Sequence, residues 1–134
     1  MTVAGYAAWA PRFQSLLRII AAFLFLQAGT VKTFAFPMGM PPDGGTAPLW
    51  SQAGIGGVLE VVCGALLLAG LWTRPAAFLM SGMMAVAYFQ YHAPNGFWPM
   101  VNGGLDAALF SFLWLYFSAA GGGPWSVDAL RGKG

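Results

Sequence analysis

Residues 54–71 constrain this chain more than any other stretch. They read Gly-Ile-Gly-Gly-Val-Leu-Glu-Val-Val-Cys-Gly-Ala-Leu-Leu-Leu-Ala-Gly-Leu, an apolar run with one carboxylate, Glu60, near its centre. Extended to Trp50 and Trp72, the run is long enough to cross a bilayer as a helix, at about 1.5 Å per residue over a hydrocarbon core of roughly 30 Å. A carboxylate at mid-membrane costs about 3 kcal/mol on the insertion scale. Glu60 must therefore face protein or a wet cavity, and some group must answer its charge. Gly56, Glu60 and Gly64 are spaced i, i+4, i+8 and share a helical face, with Gly57 beside them. Small residues there let a second helix approach closely.

The rest of the composition agrees with a membrane solvent. The chain is 58% hydrophobic and 7% charged, against about 25% charged residues in a soluble domain. Its mean hydropathy is +0.67. The length suits one domain. The net charge of +2 is small and its Lys and Arg are scattered, so nothing resembles a nucleic-acid surface. Cys63 is the sole cysteine. It can close no intrachain disulfide and build no Cys-rich metal site, and it reads as a small buried hydrophobe. No phosphate-binding Gly-Lys loop, G-x-S-x-G, H-E-x-x-H or C-x-x-C occurs.

Four apolar spans are predicted, at about 13–36, 50–72, 75–92 and 102–120, followed by a polar tail over 121–134. Residues 1–11 read as an interfacial lead-in, with Pro11 in a first helical turn. Four prolines and three glycines make 37–49 a loop. Asn102 is a candidate N-cap for the last span. Short connections between four spans predict an all-α, integral membrane, up-down four-helix bundle forming a single membrane domain. Arg12, Arg18, Arg74, Arg131 and Lys133 all fall on one side of such a bundle, and the loops 37–49 and 93–101 contain neither Lys nor Arg. The positive-inside rule then puts both termini in the cytoplasm.

The polar residues inside the spans are the functional candidates. Arg18, Ala22, Phe25, Gly29 and Lys32 share one face of the first span, so that face should look into the bundle. Counting depth along each span suggests a buried charge network in which Lys32 meets Asp106 and Arg18 reaches Glu60. Lys32, Tyr88, His92 and Asp106, with Gln52 and Asn102 at similar depth, would line a polar cavity opening outward and form its ligand-binding set. One histidine without companion ligands makes no dedicated metal site. The same charges could instead only fix helix register. Gly56, Gly57 and Gly64 are the helix-packing positions.

These residues resemble the DoxX family of small four-span membrane proteins. The resemblance is carried by Leu17-Arg18-Ile19 with Gly29 and Lys32, by Gly57, Glu60 and Gly64, and by Thr73-Arg74-Pro75-Ala76-Ala77. It continues through Phe97-Trp98-Pro99, Asn102-Gly103-Gly104 and Asp106 to Gly123-Pro124-Trp125-Ser126-Val127-Asp128. Asp106 stands where such sequences usually have glutamate, which shortens its reach. The resemblance implies a bacterial or archaeal plasma-membrane protein, and an accessory, non-catalytic subunit of a respiratory or redox complex. Such a subunit would bind a quinone-type ligand, with no covalent or metal-held cofactor, and would associate with itself or with a larger complex. A structural anchor or assembly subunit is the alternative, and a small-solute carrier ranks last, since no internal repeat or broken helix is evident.

Overall fold

The computed structural model describes residues 1–133. All regular structure among them is helical, apart from one isolated bridge between Met40 and Gly45. The helices are α1 (Val3–Phe34), α2 (Gln52–Ala69), α3 (Thr73–Ala87), α4 (Pro99–Asn102), α5 (Leu105–Ala120) and α6 (Val127–Leu130). They group into two compact units. One holds Met1–Trp72 and the tail from Gly122; the other is Thr73–Gly121.

In the first unit, α1 begins at Val3, not near Phe13. Thr2 caps it, its Oγ1 accepting from the Gly5 N–H at 3.1 Å. Pro11 lies inside the helix and removes one backbone donor there. At 32 residues, α1 is about 48 Å long, so it outruns a hydrocarbon core of roughly 30 Å. It ends on Ala35 in the left-handed region (φ 53°), whose N–H returns to Thr30 O.

α2 runs antiparallel to α1, as three close approaches show. A Cβ added at Gly64 would lie 2.8 Å from Leu26 Cγ, one at Gly57 would lie 2.8 Å from Lys32 Cβ, and one at Gly29 would lie 2.9 Å from Glu60 Cβ. Gly57 and Gly64 thus lie where α1 and α2 come close together. Gly56 does not: nothing lies within 4 Å of a Cβ added there. The buried face of α2 is Gly54, Gly57, Glu60, Cys63, Gly64 and Leu67, one residue round from the i, i+4, i+8 stripe through Gly56.

The loop between α1 and α2 is tied at both ends. Ala47 N–H donates to Lys32 O (2.8 Å). Ser51 caps α2 through Gly54 N–H (3.0 Å) and donates its own hydroxyl to Pro48 O (2.6 Å). α2 stops at Gly70, which sits in the left-handed region (φ 73°) against Ser126.

In the second unit α3 packs on α5. Ser81 Oγ donates to Ser111 O (2.7 Å), and Ser111 Oγ donates back to Ser81 O (3.0 Å). Met80, Trp114 and Phe117 are fully buried. The α3 path continues through a π-helical turn, Tyr88–His92, and a 3₁₀ turn, Ala93–Asn95. Asn102 does not cap α5. Gly104 holds the N-cap position, and Asn102 Oδ1 accepts from its N–H at 2.8 Å.

α1 and α2 are long and apolar enough to cross a membrane, while α5 is apolar but shorter, with 16 residues.

Candidate functional site

The site is built by the α1–α2 hairpin. In a helix each Cα–Cβ bond tilts toward the N-terminus. Lys32, near the C-terminal end of α1, therefore leans back along the helix. Glu60, on the antiparallel α2, leans toward the loop. The two side chains converge, and Lys32 Nζ donates to both carboxylate oxygens of Glu60, at 2.8 Å to Oε1 and 3.1 Å to Oε2. The glycines on either side make this possible, because Gly29 and Gly57 bring the two backbones together at the pair. Glu60's side chain is 2% exposed and Lys32's is 29% exposed. The carboxylate is buried behind the lysine, and the Lys32 side chain keeps an open flank.

That flank faces a cavity of about 580 Å³, within the roughly 300–1,000 Å³ range of small-molecule pockets. Its walls come from the end of α1 (Lys32, Thr33, Phe34), the loop (Thr46, Ala47, Pro48, Leu49) and α2 (Gly54, Val58, Val61, Val62). Lys32 is the one charged residue among them. Thr33 Oγ1 is engaged with Gly29 O (2.7 Å).

The pairing differs from the one that depth counting suggests. Glu60 is answered by Lys32 and not by Arg18, and Lys32 is engaged by Glu60 where Asp106 was the expected partner. Arg18 is 1% exposed and spends its guanidinium on backbone carbonyls. Nε donates to Leu67 O (2.8 Å), Nη2 to Trp125 O (2.8 Å) and Nη1 to Gly122 O. Leu67 lies in the last turn of α2, where carbonyls lack helical partners and the helix dipole favours a cation. Ser15 joins the cluster, its Oγ donating to Gly122 O (3.1 Å) and accepting from Trp125 N–H (3.0 Å). Asp128 is near enough for its charge to act on Arg18. It also accepts from Trp72 N–H (2.9 Å), while its own N–H donates to Gly70 O (2.9 Å). Sequence reasoning missed Ser15, Asp128 and the tail carbonyls. Their signal was the Gly123-Pro124-Trp125-Ser126-Val127-Asp128 segment, in which Ser126 caps α6.

In the second unit Tyr88, His92 and Asn102 do come together. Asn102 Nδ2 donates to Tyr88 Oη (3.2 Å) and to Gly96 O (3.0 Å), and His92 Nδ1 lies 3.2 Å from Asn102 O. Asp106 is exposed in the first turn of α5, a favourable place for a carboxylate. Gln52 is exposed at the start of α2.

An apolar helix hairpin closed over a lysine–glutamate pair is the construction of a helical membrane protein. The chain belongs to the DoxX family, whose model matches residues 13–93. An uncharacterized protein of Haemophilus influenzae is 42% identical over 123 residues, covering 88% of this chain and 90% of that protein. An uncharacterized membrane protein of Mycobacterium tuberculosis is 28% identical over 133 residues, covering 87% of this chain and 80% of that one. No solved structure matches the chain.

Proposed function

We propose that the protein is a multi-pass, accessory subunit of a respiratory or redox complex in a bacterial or archaeal plasma membrane, and that the cavity beside Lys32 receives the head of a quinone-type ligand. The observation that carries this is the Lys32 ammonium. Its Nζ lies within hydrogen-bond distance of both Glu60 oxygens, which takes at most two of its three hydrogens and leaves one to serve a carbonyl oxygen in a cavity that Lys32 lines and whose other walls are mainly apolar. A quinone presents that chemistry, with carbonyl acceptors on an apolar ring and tail. Four spans in an up-down bundle with both termini cytoplasmic match the distribution of Arg12, Arg18, Arg74, Arg131 and Lys133. Association with itself or with a redox partner, which supplies the electron transfer, belongs to the same proposal.

The test is binding of a short-chain benzoquinone to the full chain in mild detergent, followed by calorimetry. Saturable binding near one per chain is expected. Lys32→Gln should weaken it about tenfold, the worth of one charge-assisted hydrogen bond, and Val58→Trp should block it by filling the cavity. No saturable binding, or unaltered binding to Val58→Trp, overturns the proposal.

A structural anchor is the second reading. It is favoured by Arg18, whose guanidinium ties the tail to α1 and α2. It predicts that partner capture survives Val58→Trp and fails when Arg18 is replaced.

A further inference from the structure

We infer that Glu60 sets the charge selectivity of the cavity, so that it accepts amphiphiles with an uncharged carbonyl head and turns away those with anionic heads. A lone lysine on an apolar wall would do the reverse. In a membrane it would collect carboxylates and phosphates, the commonest amphiphilic anions there. Here the ammonium is already matched. Both Glu60 oxygens lie within hydrogen-bond distance of Nζ, at 2.8 and 3.1 Å, and Lys32 and Glu60 sum to zero charge.

Glu60 does not line the cavity. It lies behind the ammonium at 2% exposure, so it touches no ligand and acts through Lys32 as a positioning residue. An incoming anion would meet one remaining N–H on Lys32 together with the field of the carboxylate behind it. In a low-dielectric wall that repulsion is weakly screened. It would also have to be desolvated beside walls in which Thr46 is the one further hydroxyl: Pro48, Leu49, Val58 and Val62 are apolar, and Thr33's hydroxyl hydrogen is spent on Gly29 O. A neutral carbonyl needs only the one N–H and loses little hydration on entry.

This selectivity rests on the cavity being the quinone site proposed above, and the experiment separates the two. The full chain in nonionic detergent is titrated by calorimetry with two probes of similar tail length, a neutral decyl-benzoquinone and dodecanoate. Wild type should prefer the neutral probe by about tenfold or more. Glu60→Gln keeps the side-chain shape and one acceptor oxygen but leaves the lysine charge unmatched. Dodecanoate affinity should then rise about tenfold, and the preference should narrow or invert. Lys32→Gln with Glu60→Gln restores neutrality and should bind dodecanoate no better than wild type. Helical circular dichroism and gel filtration establish that each variant is folded.

If wild type binds neither probe, the quinone-site proposal fails. If wild type binds the quinone but takes dodecanoate equally well or better, the selectivity inference alone is overturned, whether or not the variants fold. If Glu60→Gln folds and leaves the ratio unchanged, it is overturned as well.

Discussion

Gly29 lies so close to Glu60 that a methyl group added to the glycine would sit 2.9 Å from the Glu60 Cβ, with Val61 N and Gly57 O as near. Two of those three neighbours are backbone and cannot swing aside. Gly29→Ala should therefore destabilise the hairpin by about 1–3 kcal/mol through overpacking, more than the roughly 1 kcal/mol that alanine gains in helix propensity. Gly56→Ala, with open space around it, should be neutral or slightly stabilising. Unfolding in mixed micelles distinguishes the two, and equal effects at both positions would contradict the packing face described above.

Lys32 and Glu60 should be coupled. Removing the lysine strands a carboxylate that is 2% exposed, and a buried pair broken on one side costs about 3–5 kcal/mol. Lys32 is partly exposed, so Glu60→Leu should cost less than Lys32→Met, because the stranded ammonium can reach water. The double variant should cost less than the sum. A double-mutant cycle measured by reversible unfolding should give a coupling of at least about 1 kcal/mol. Strict additivity would mean that the pair contributes nothing to the hairpin.

Arg18→Lys should loosen the tail while leaving the Lys32–Glu60 pair in place. A lysine cannot reach three divergent carbonyls with a planar fork, and each lost bond from a charged donor is worth about 1.5–3 kcal/mol when its acceptor stays buried. Deuterium exchange should accelerate at the Trp125 and Asp128 amides, which bond to Ser15 Oγ and Gly70 O. Ser15→Ala should accelerate the Trp125 amide alone.

Asn102→Asp separates the two jobs of that side chain. The acceptor toward Gly104 N–H is kept, and the donors toward Tyr88 Oη and Gly96 O are lost. The Gly104 amide should stay protected while the turn through Gly96 opens, at a cost of about 1–3 kcal/mol. Asn102→Ala should expose both. A Gly104 amide that exchanges freely in Asn102→Asp would refute the division.

The helices were legible because their signals are local. Hydropathy, Pro37 and the Pro/Gly loop mark the end of α1 and both ends of α2 within a few residues, and the need for a partner at Glu60 follows from its position alone. The partner was not legible by counting depth. Lys32 and Glu60 lie at different heights, but the backward tilt of Cβ on antiparallel helices and the long lysine stem close the gap. Arg18 was misjudged for a different reason. A buried cation was assumed to require a carboxylate, whereas the open carbonyls at the end of α2 and in the returning tail accept its hydrogens. Nothing local to Arg18 announces a tail more than a hundred residues away. The early start of α1 was obscured by Pro11, which usually marks a first turn.

Lys32 carries two attachments that belong to different parts of the residue. Its side chain holds Glu60, and its main-chain carbonyl holds the loop through Ala47. Replacement of Lys32 by an uncharged residue such as methionine erases the first and spares the second, while Ala47→Pro deletes the loop's donor and leaves the ammonium as it was. Roof and floor of the chamber can thus be dissected genetically, one codon for each.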